Sequence, residues 1–217
     1  EGLLNPPGAW GPWINGGTWM KVDGTPVDIL LRDIQKVKKV ITDCLNGIIT
    51  IDYQCGHPFG FVNTIYAAET HYAQALWQDE TVPLDGLKEL LYSEGPYPPR
   101  MRQATIEKFL WEAGFSLACG RKAAHKEDVH YEIGSIFRTV CSWVELLFAL
   151  NSRYVMNEKG ALKEVDTLNC KPAEMEARVN EAYRLLTHGC RVQAYEIFDN
   201  LHREVERLAE ERRPLNQ

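Results

Sequence analysis

Apolar and polar residues alternate along residues 13–33 in the pattern of a β-hairpin. Asp23-Gly24 is a pair that favours tight hairpin turns, because the central positions require positive φ. After this turn, apolar residues at positions 27, 29 and 31 alternate with a second set that begins at Asp28. Because successive side chains of a strand point to opposite faces, Asp28 is predicted to lie opposite the first apolar set.

Beyond the hairpin the apolar spacing becomes helical. Asp33 is predicted to cap a helix over 34–45, and the β-branched residues within 48–53 predict one more short strand. Further helices are predicted over residues 64–78, 82–93, 99–124 and 127–153. Two more are predicted, one with Pro172 at its first position and one along an apolar stripe between Tyr195 and Leu208. The expected fold class is α+β, with a β-hairpin and a helix followed by a mainly α-helical bundle. We place the boundary after residue 55, so that the two regions span residues 1–55 and 56–217.

Composition narrows the classes of function. The formal net charge of −6 over 217 residues argues against a surface that binds nucleic acid through its phosphates. No apolar run approaches the roughly 20 residues of a membrane span. The six cysteines are scattered, without a C-x-x-C pair, which favours reduced thiols and a cytoplasmic location.

Asp28 is the leading candidate for a catalytic or metal-binding residue. A charged residue in an apolar strand costs free energy unless a partner compensates for it. A metal ion or a substrate would do so, and so would Arg32, which lies four residues further along the strand on the same face.

Four segments together resemble nucleotidyltransferases of the antibiotic-modifying type. They are INGGTWMKVDGTPVDILLRD before a helix, GHPFGF at 56–61, GRKAA at 120–124 and YVMNEKG at 154–160. In that superfamily a Gly-Ser motif and an Asp-x-Asp pair come early, and a third carboxylate follows in a segment that Val27-Asp28-Ile29-Leu30 matches. No Gly-Ser followed by Asp-x-Asp precedes Asp28 here. The resemblance therefore implies that residues 1–55 are the C-terminal part of the catalytic domain, with only part of its mixed sheet.

The resemblance also implies a reaction. A nucleoside monophosphate would pass from a nucleoside triphosphate, the co-substrate, to a hydroxyl group of a small, antibiotic-like acceptor, with Mg²⁺ as cofactor. Asp28 would be a metal ligand and a catalytic residue, and Lys159, beside Asn157, would hold the triphosphate. The alternative for this pair is that Asn157 caps a helix and Lys159 is simply solvated.

Four further residues are candidates for the same site. Glu145 lies in the apolar segment WVELLFAL, where it either acts as a general base or pairs with a core cation such as Arg138. Lys122 either binds phosphate or offsets a helix dipole. His57 either contacts substrate at the boundary or is structural, and Trp19 either stacks on substrate or packs between sheet and bundle.

A different class of function fits the same residues. An inactive or antitoxin-like relative would bind a partner protein and would genuinely lack the Asp-x-Asp pair. A purely structural helical module is a third alternative. For the enzyme, the expected partners are the nucleoside triphosphate and the small acceptor, without nucleic acid or membrane, and a homodimer is compatible with the sequence.

Overall fold

The computed structural model describes residues 3–78 and 84–212, and it has an α+β architecture. The N-terminal part contains, in order, α1 (Gly11–Ile14), β1 (Gly16–Val22), β2 (Thr25–Leu31), α2 (Ile34–Leu45), β3 (Ile51–Asp52), β4 (Phe61–Val62), α3 (Thr64–Tyr72) and α4 (Leu84–Leu91). The C-terminal part contains α5 (Pro99–His125), α6 (Val129–Leu150), α7 (Ala161–Val165), α8 (Met175–Thr187) and α9 (Arg191–Glu211).

The β1–β2 hairpin is confirmed. Its strands are antiparallel, and Asp23 and Gly24 both have positive φ at the turn. Gly17 in β1 is required by a close approach, because a Cβ atom there would stand 1.9 Å from the carbonyl oxygen of Ile29. The face that contains Val27 and Ile29 is not buried, since Ile29 is exposed and Val27 is only half-buried. The reason is topological: among the described residues the hairpin forms a two-stranded sheet of its own.

Helix α2 follows the prediction to the residue. The Asp33 carboxylate accepts hydrogen bonds from the backbone N–H groups of Gln35 and Lys36, and the helix ends at Asn46-Gly47 with Gly47 at φ +77°. The predicted strand over 48–53 is reduced to β3, which pairs with β4 in a second two-stranded sheet. Helix α3 ends at Tyr72, before the predicted end at 78, and residues 82 and 83 of the next predicted helix lie outside the described residues.

Two long antiparallel helices form the centre of the bundle. Arg102 at the start of α5 donates hydrogen bonds to the carbonyl groups of Ala149 and Leu150 at the end of α6. Helix α6 is long and apolar enough to cross a membrane, but 78% of its most apolar window is buried inside the protein. Such burial is typical of the core helix of a globular protein.

The start of α8 differs from the prediction. Pro172 precedes the helix, which begins at Met175 after Glu174 in the left-handed region. The carboxylate of Asp166 accepts hydrogen bonds from the backbone N–H groups of Met175 and Glu176. The cap therefore comes from the loop after α7, a helix that the pattern did not predict.

The buried side chains form two hydrophobic clusters. One contains residues of α2, α3 and α4 with Trp13, Phe61, Met101 and Tyr154, and the other contains the bundle residues of α5 to α9 with Phe59 and Val62. Ile49 and Tyr97 pack against both clusters. The proposed boundary at residue 55 stays a prediction, and the packing joins α3 and α4 to the N-terminal cluster.

Candidate functional site

The hairpin places Asp28 directly opposite Trp19 in the β1–β2 register. Directly opposite residues of an antiparallel pair project from the same face, with Cβ atoms about 4.5–5.5 Å apart. Both side chains are exposed, and no described residue forms an ion pair with Asp28. The face therefore presents a free carboxylate beside an indole ring.

The alternative that Asp28 pairs with Arg32 is wrong. The Arg32 guanidinium instead binds Glu69 of α3 through two contacts, at 2.8 Å and 2.5 Å, and donates to the carbonyl group of Ile14 at 2.7 Å. Arg32 thus fixes the end of the hairpin to α3. Asp28 is left available for a ligand.

Aromatic contacts connect the hairpin face to the loop between β3 and β4. Trp19 stacks on Trp10, with ring centroids 4.4 Å apart and planes at 19°. The Gln54 side-chain amide donates to the carbonyl group of Trp10 at 2.7 Å. Gln54 and His57 line the same cleft of about 440 Å³, which Arg138 of α6 closes from the other side. The loop and the bundle therefore meet at this cleft, and Gln54 connects the loop to Trp10.

His57 lies between the cleft and the bundle. Its Nδ1 atom is 3.4 Å from Oε2 of Glu158, and its ring lies edge-on to Phe61 at 5.1 Å. The backbone N–H of Phe59 donates to Oε1 of Glu158 at 3.0 Å. Burial alone would raise the pKa of Glu158, but these contacts and the backbone N–H of Glu158 itself outweigh it and lower that pKa. Glu158 is therefore a carboxylate held in its ionised form.

Glu145 shares a cavity with Glu158. The cavity has a volume of about 180 Å³, and its other walls are apolar and aromatic side chains that include Phe59, Phe137 and Tyr183. The predicted alternative, an ion pair between Glu145 and Arg138, is wrong because Arg138 binds Glu112 of α5. Burial, and next the charge of Glu158, raise the pKa of Glu145 to about 8. Two carboxyl groups whose environments push their pKa values apart are the arrangement of an acid–base pair.

Lys159 and Asn157 line a separate cleft of about 320 Å³, together with Tyr72 and Arg153. The Asn157 side chain accepts a hydrogen bond from the backbone N–H of Lys159 at 2.8 Å, so it caps the turn before α7. The Lys159 ammonium group is exposed. Lys122 is also exposed, in the last turn of α5, and it lines none of these clefts.

Asp28 is the candidate metal ligand on the hairpin face. Carboxylate oxygen is the donor that Mg²⁺ prefers, and Mg²⁺ is commonly held by one or two carboxylates together with substrate phosphates. No group of three or more potential metal ligands occurs among the residues that the structure describes. The donor type therefore fits Mg²⁺, whereas the number of protein ligands does not form a complete site.

Sequence reasoning missed three side chains that line a further groove, between α5 and α6. Glu112 falls on the buried stripe of α5, three residues after Phe109, where a carboxylate requires a partner. Trp111 and Phe115 lie four residues apart on the outer side of α5 and are exposed. The signal in the sequence was that both residues are aromatic although they lie outside the apolar stripe of α5.

Comparisons with known proteins leave the family open. The chain matches no protein-family model, and no curated protein and no solved structure is significantly similar to it.

Proposed function

We propose that this protein takes part in metal-dependent transfer of a nucleoside monophosphate from a nucleoside triphosphate to a hydroxyl group of a small acceptor. The observation that carries the proposal is the combination of an exposed, unpaired Asp28 on the hairpin with a buried Glu145 in the bundle. The resemblance of the hairpin and of the Tyr154–Gly160 segment to antibiotic-modifying nucleotidyltransferases supports it. The partial nucleotidyltransferase sheet, a cytoplasmic location and Mg²⁺ as cofactor belong to the same proposal.

Glu145 supplies the general base. The acceptor oxygen forms a bond to the α-phosphorus as the bond to the β-phosphate breaks, and pyrophosphate leaves. The acceptor proton passes to the Glu145 carboxylate, whose pKa of about 8 is high enough to hold it at neutral pH. His57 keeps Glu158 in place beside this group.

The remaining site residues position the substrates. A bound Mg²⁺ would supply charge neutralisation at the phosphates, and Asp28 would be one of its ligands. Lys159 contacts the triphosphate as a compact positive charge, and Asn157 fixes the turn that carries it. Trp19 offers a flat apolar surface beside Asp28. Lys122 stands apart from these groups and has the weakest support for contact with phosphate.

The test is a transfer assay with the full protein, a nucleoside triphosphate and a panel of hydroxylated acceptors. Pyrophosphate release that requires both Mg²⁺ and an acceptor is the expected result. A wild-type protein that binds no nucleoside triphosphate in the presence of Mg²⁺ would refute the proposal.

A second function is favoured by one specific observation. Trp19, Val22, Ile29 and Leu30 of the hairpin are exposed, and among the described residues the outer edge of β2 has no partner strand. Exposed apolar strands at an unpaired edge are sites of β-strand addition. In this reading the protein is an inactive partner-binding module, and Ile29→Lys should abolish the complex while Asp28→Asn leaves it intact.

A further inference from the structure

Helices α5 and α6 enclose an aromatic groove outside the residues assigned above. Its volume is about 530 Å³, within the range of sites for small ligands. Its walls are Trp111 and Phe115 of α5 and Tyr131 of α6, and Trp111 is 69% exposed. Large apolar side chains grouped at a concave surface mark a binding site.

The groove has flat walls and a narrow floor. The Trp111 and Phe115 rings are parallel, with planes at 9° and centroids 5.1 Å apart. The small residues Ser116, Gly134 and Ser135 lie between the walls. A Cβ atom on Gly134 would meet nothing within 4 Å, so the space above it is open. The stacked Trp111 and Phe115 rings leave no gap for a third ring between them, so a planar ring would stack on an outer face of the pair.

One end of the groove is charged. Arg138 is bound by the buried Glu112 and lies over the Phe59 ring, which holds its guanidinium group in place. The Arg138 side chain is still partly exposed, and it lines both this groove and the cleft that contains His57. An anionic group attached to a ring in the groove would therefore meet a fixed guanidinium at the junction.

We propose that this groove binds the base of a nucleoside triphosphate, with the phosphates directed towards its Arg138 end. The inference rests on the proposed function for its choice of ligand. A nucleobase satisfies both parts of the groove, because its faces stack on aromatic rings and its edges offer hydrogen bonds to Ser116 and Ser135. An apolar partner helix would bury those hydroxyl groups without offering them hydrogen bonds and would take the partly exposed Arg138–Glu112 pair out of water.

The first test is the affinity of the full protein for nucleoside triphosphates with Mg²⁺, measured by isothermal titration calorimetry. Trp111→Ala and Phe115→Ala should each weaken binding roughly 5- to 100-fold, the loss that follows removal of one stacked base. Trp77→Ala is the matched control, because it removes another exposed indole that does not line the groove, and it should bind as the wild type does.

The second test fills the groove without removing a ring. Gly134→Leu places a side chain in open space on an exposed helical position, and leucine favours helix over glycine, so the fold should be retained. Loss of nucleotide binding with a melting temperature no lower than that of the wild type is the expected result.

The outcomes separate the two proposals. If the wild-type protein transfers nucleotides while Trp111→Ala, Phe115→Ala and Gly134→Leu all bind them as the wild type does, the groove is not the base site and the proposed reaction stands. If these variants lose nucleotide binding but no acceptor is ever modified, the groove assignment stands and the transfer reaction is refuted. Absence of any nucleotide binding to the wild type overturns the groove assignment.

Discussion

Glu145 and Glu158 line one small cavity, and the charge of Glu158 contributes to the raised pKa of Glu145. Glu158 is ionised because His57 and backbone N–H groups contact it, whereas Glu145 is surrounded mainly by apolar groups. At neutral pH the pair therefore presents an ionised carboxylate, Glu158, beside a carboxyl group, Glu145, that holds its proton. This division is the basis for the first two predictions.

The rate of transfer should depend on pH through Glu145. A general base acts in its deprotonated form, so the rate should rise about tenfold per pH unit below pH 8 and level off above it. Glu145→Gln should reduce kcat by roughly 100-fold or more and remove this dependence. A wild-type profile that is flat between pH 6 and pH 9 would exclude Glu145 as the base.

Stability should depend on pH through the same group. The folded-state pKa of Glu145, about 8, is above the ordinary value of 4.5, so the folded protein keeps a proton that the unfolded chain loses. The contribution of Glu145 to the free energy of unfolding is therefore complete below about pH 4.5. It falls by about 1.4 kcal/mol per pH unit as the pH rises towards 8. Glu145→Gln should match the wild type near pH 5 and melt at a higher temperature at pH 9, as measured by circular dichroism.

Glu158→Gln is the matched control for that measurement. The pKa of Glu158 is lowered, so its contribution is present above the ordinary value and is lost as the pH falls through the folded-state value. This variant should therefore be destabilised at neutral pH and should approach the wild type in acid. Identical pH profiles for the two variants would contradict the assignment of opposite protonation states.

Asp28→Asn should abolish Mg²⁺-dependent transfer without loss of stability. The side chain is exposed and has no ion-pair partner among the described residues, so the fold should not depend on its charge. Asp23→Asn is the control, because it removes another hairpin carboxylate at a positive-φ position that asparagine tolerates. Mg²⁺-dependent nucleotide binding provides a readout besides turnover, and a variant that retains both properties would remove Asp28 from the metal site.

Lys159→Ala should raise the nucleotide KM roughly tenfold, with a smaller effect on kcat. The exposed ammonium group contributes attraction to the phosphates, and its removal leaves the turn held by Asn157 intact. Lys163→Ala removes a nearby exposed lysine of α7 that does not line the cleft, and it should leave KM unchanged. Steady-state kinetics at fixed acceptor concentration distinguish the two variants.

Arg32→Met should destabilise the fold. Arg32 is mostly buried and makes its contacts to Glu69 and to the Ile14 carbonyl group at once, so its loss leaves two partly buried acceptors without a donor. The expected cost is about 2–4 kcal/mol in the free energy of unfolding, measured in urea. Combining it with Glu69→Gln should cost less than the sum of the two single changes, because the two residues share one interaction.

The sequence predicted local structure best where chemistry within a few residues determines it. Asp33, the Asp23-Gly24 turn and the Asn46-Gly47 stop specified α2 and the hairpin, and the apolar stripes specified α5, α6 and α9. It failed where distant residues decide the outcome. Asp166 caps α8 from nine residues away, Glu69 competes for Arg32, and Glu112 competes for Arg138.

The candidate site shows the same division. Asp28 and Glu145 were identified because a carboxylate interrupts an apolar pattern, which is a local signal. The partnership of Glu145 with Glu158 depends on folding the loop before α7 against α6, and the sequence contains no periodicity that predicts it.

Ile49 and Tyr97 touch both hydrophobic clusters, and this shared contact has a consequence for how the protein melts. If either cluster unfolds, the other loses apolar contacts that Ile49 and Tyr97 provide. Differential scanning calorimetry of the intact chain should therefore show one heat-absorption peak whose calorimetric and van't Hoff enthalpies agree. Tyr97→Ala should weaken the coupling between the two clusters. The single peak should then broaden and begin to separate into two.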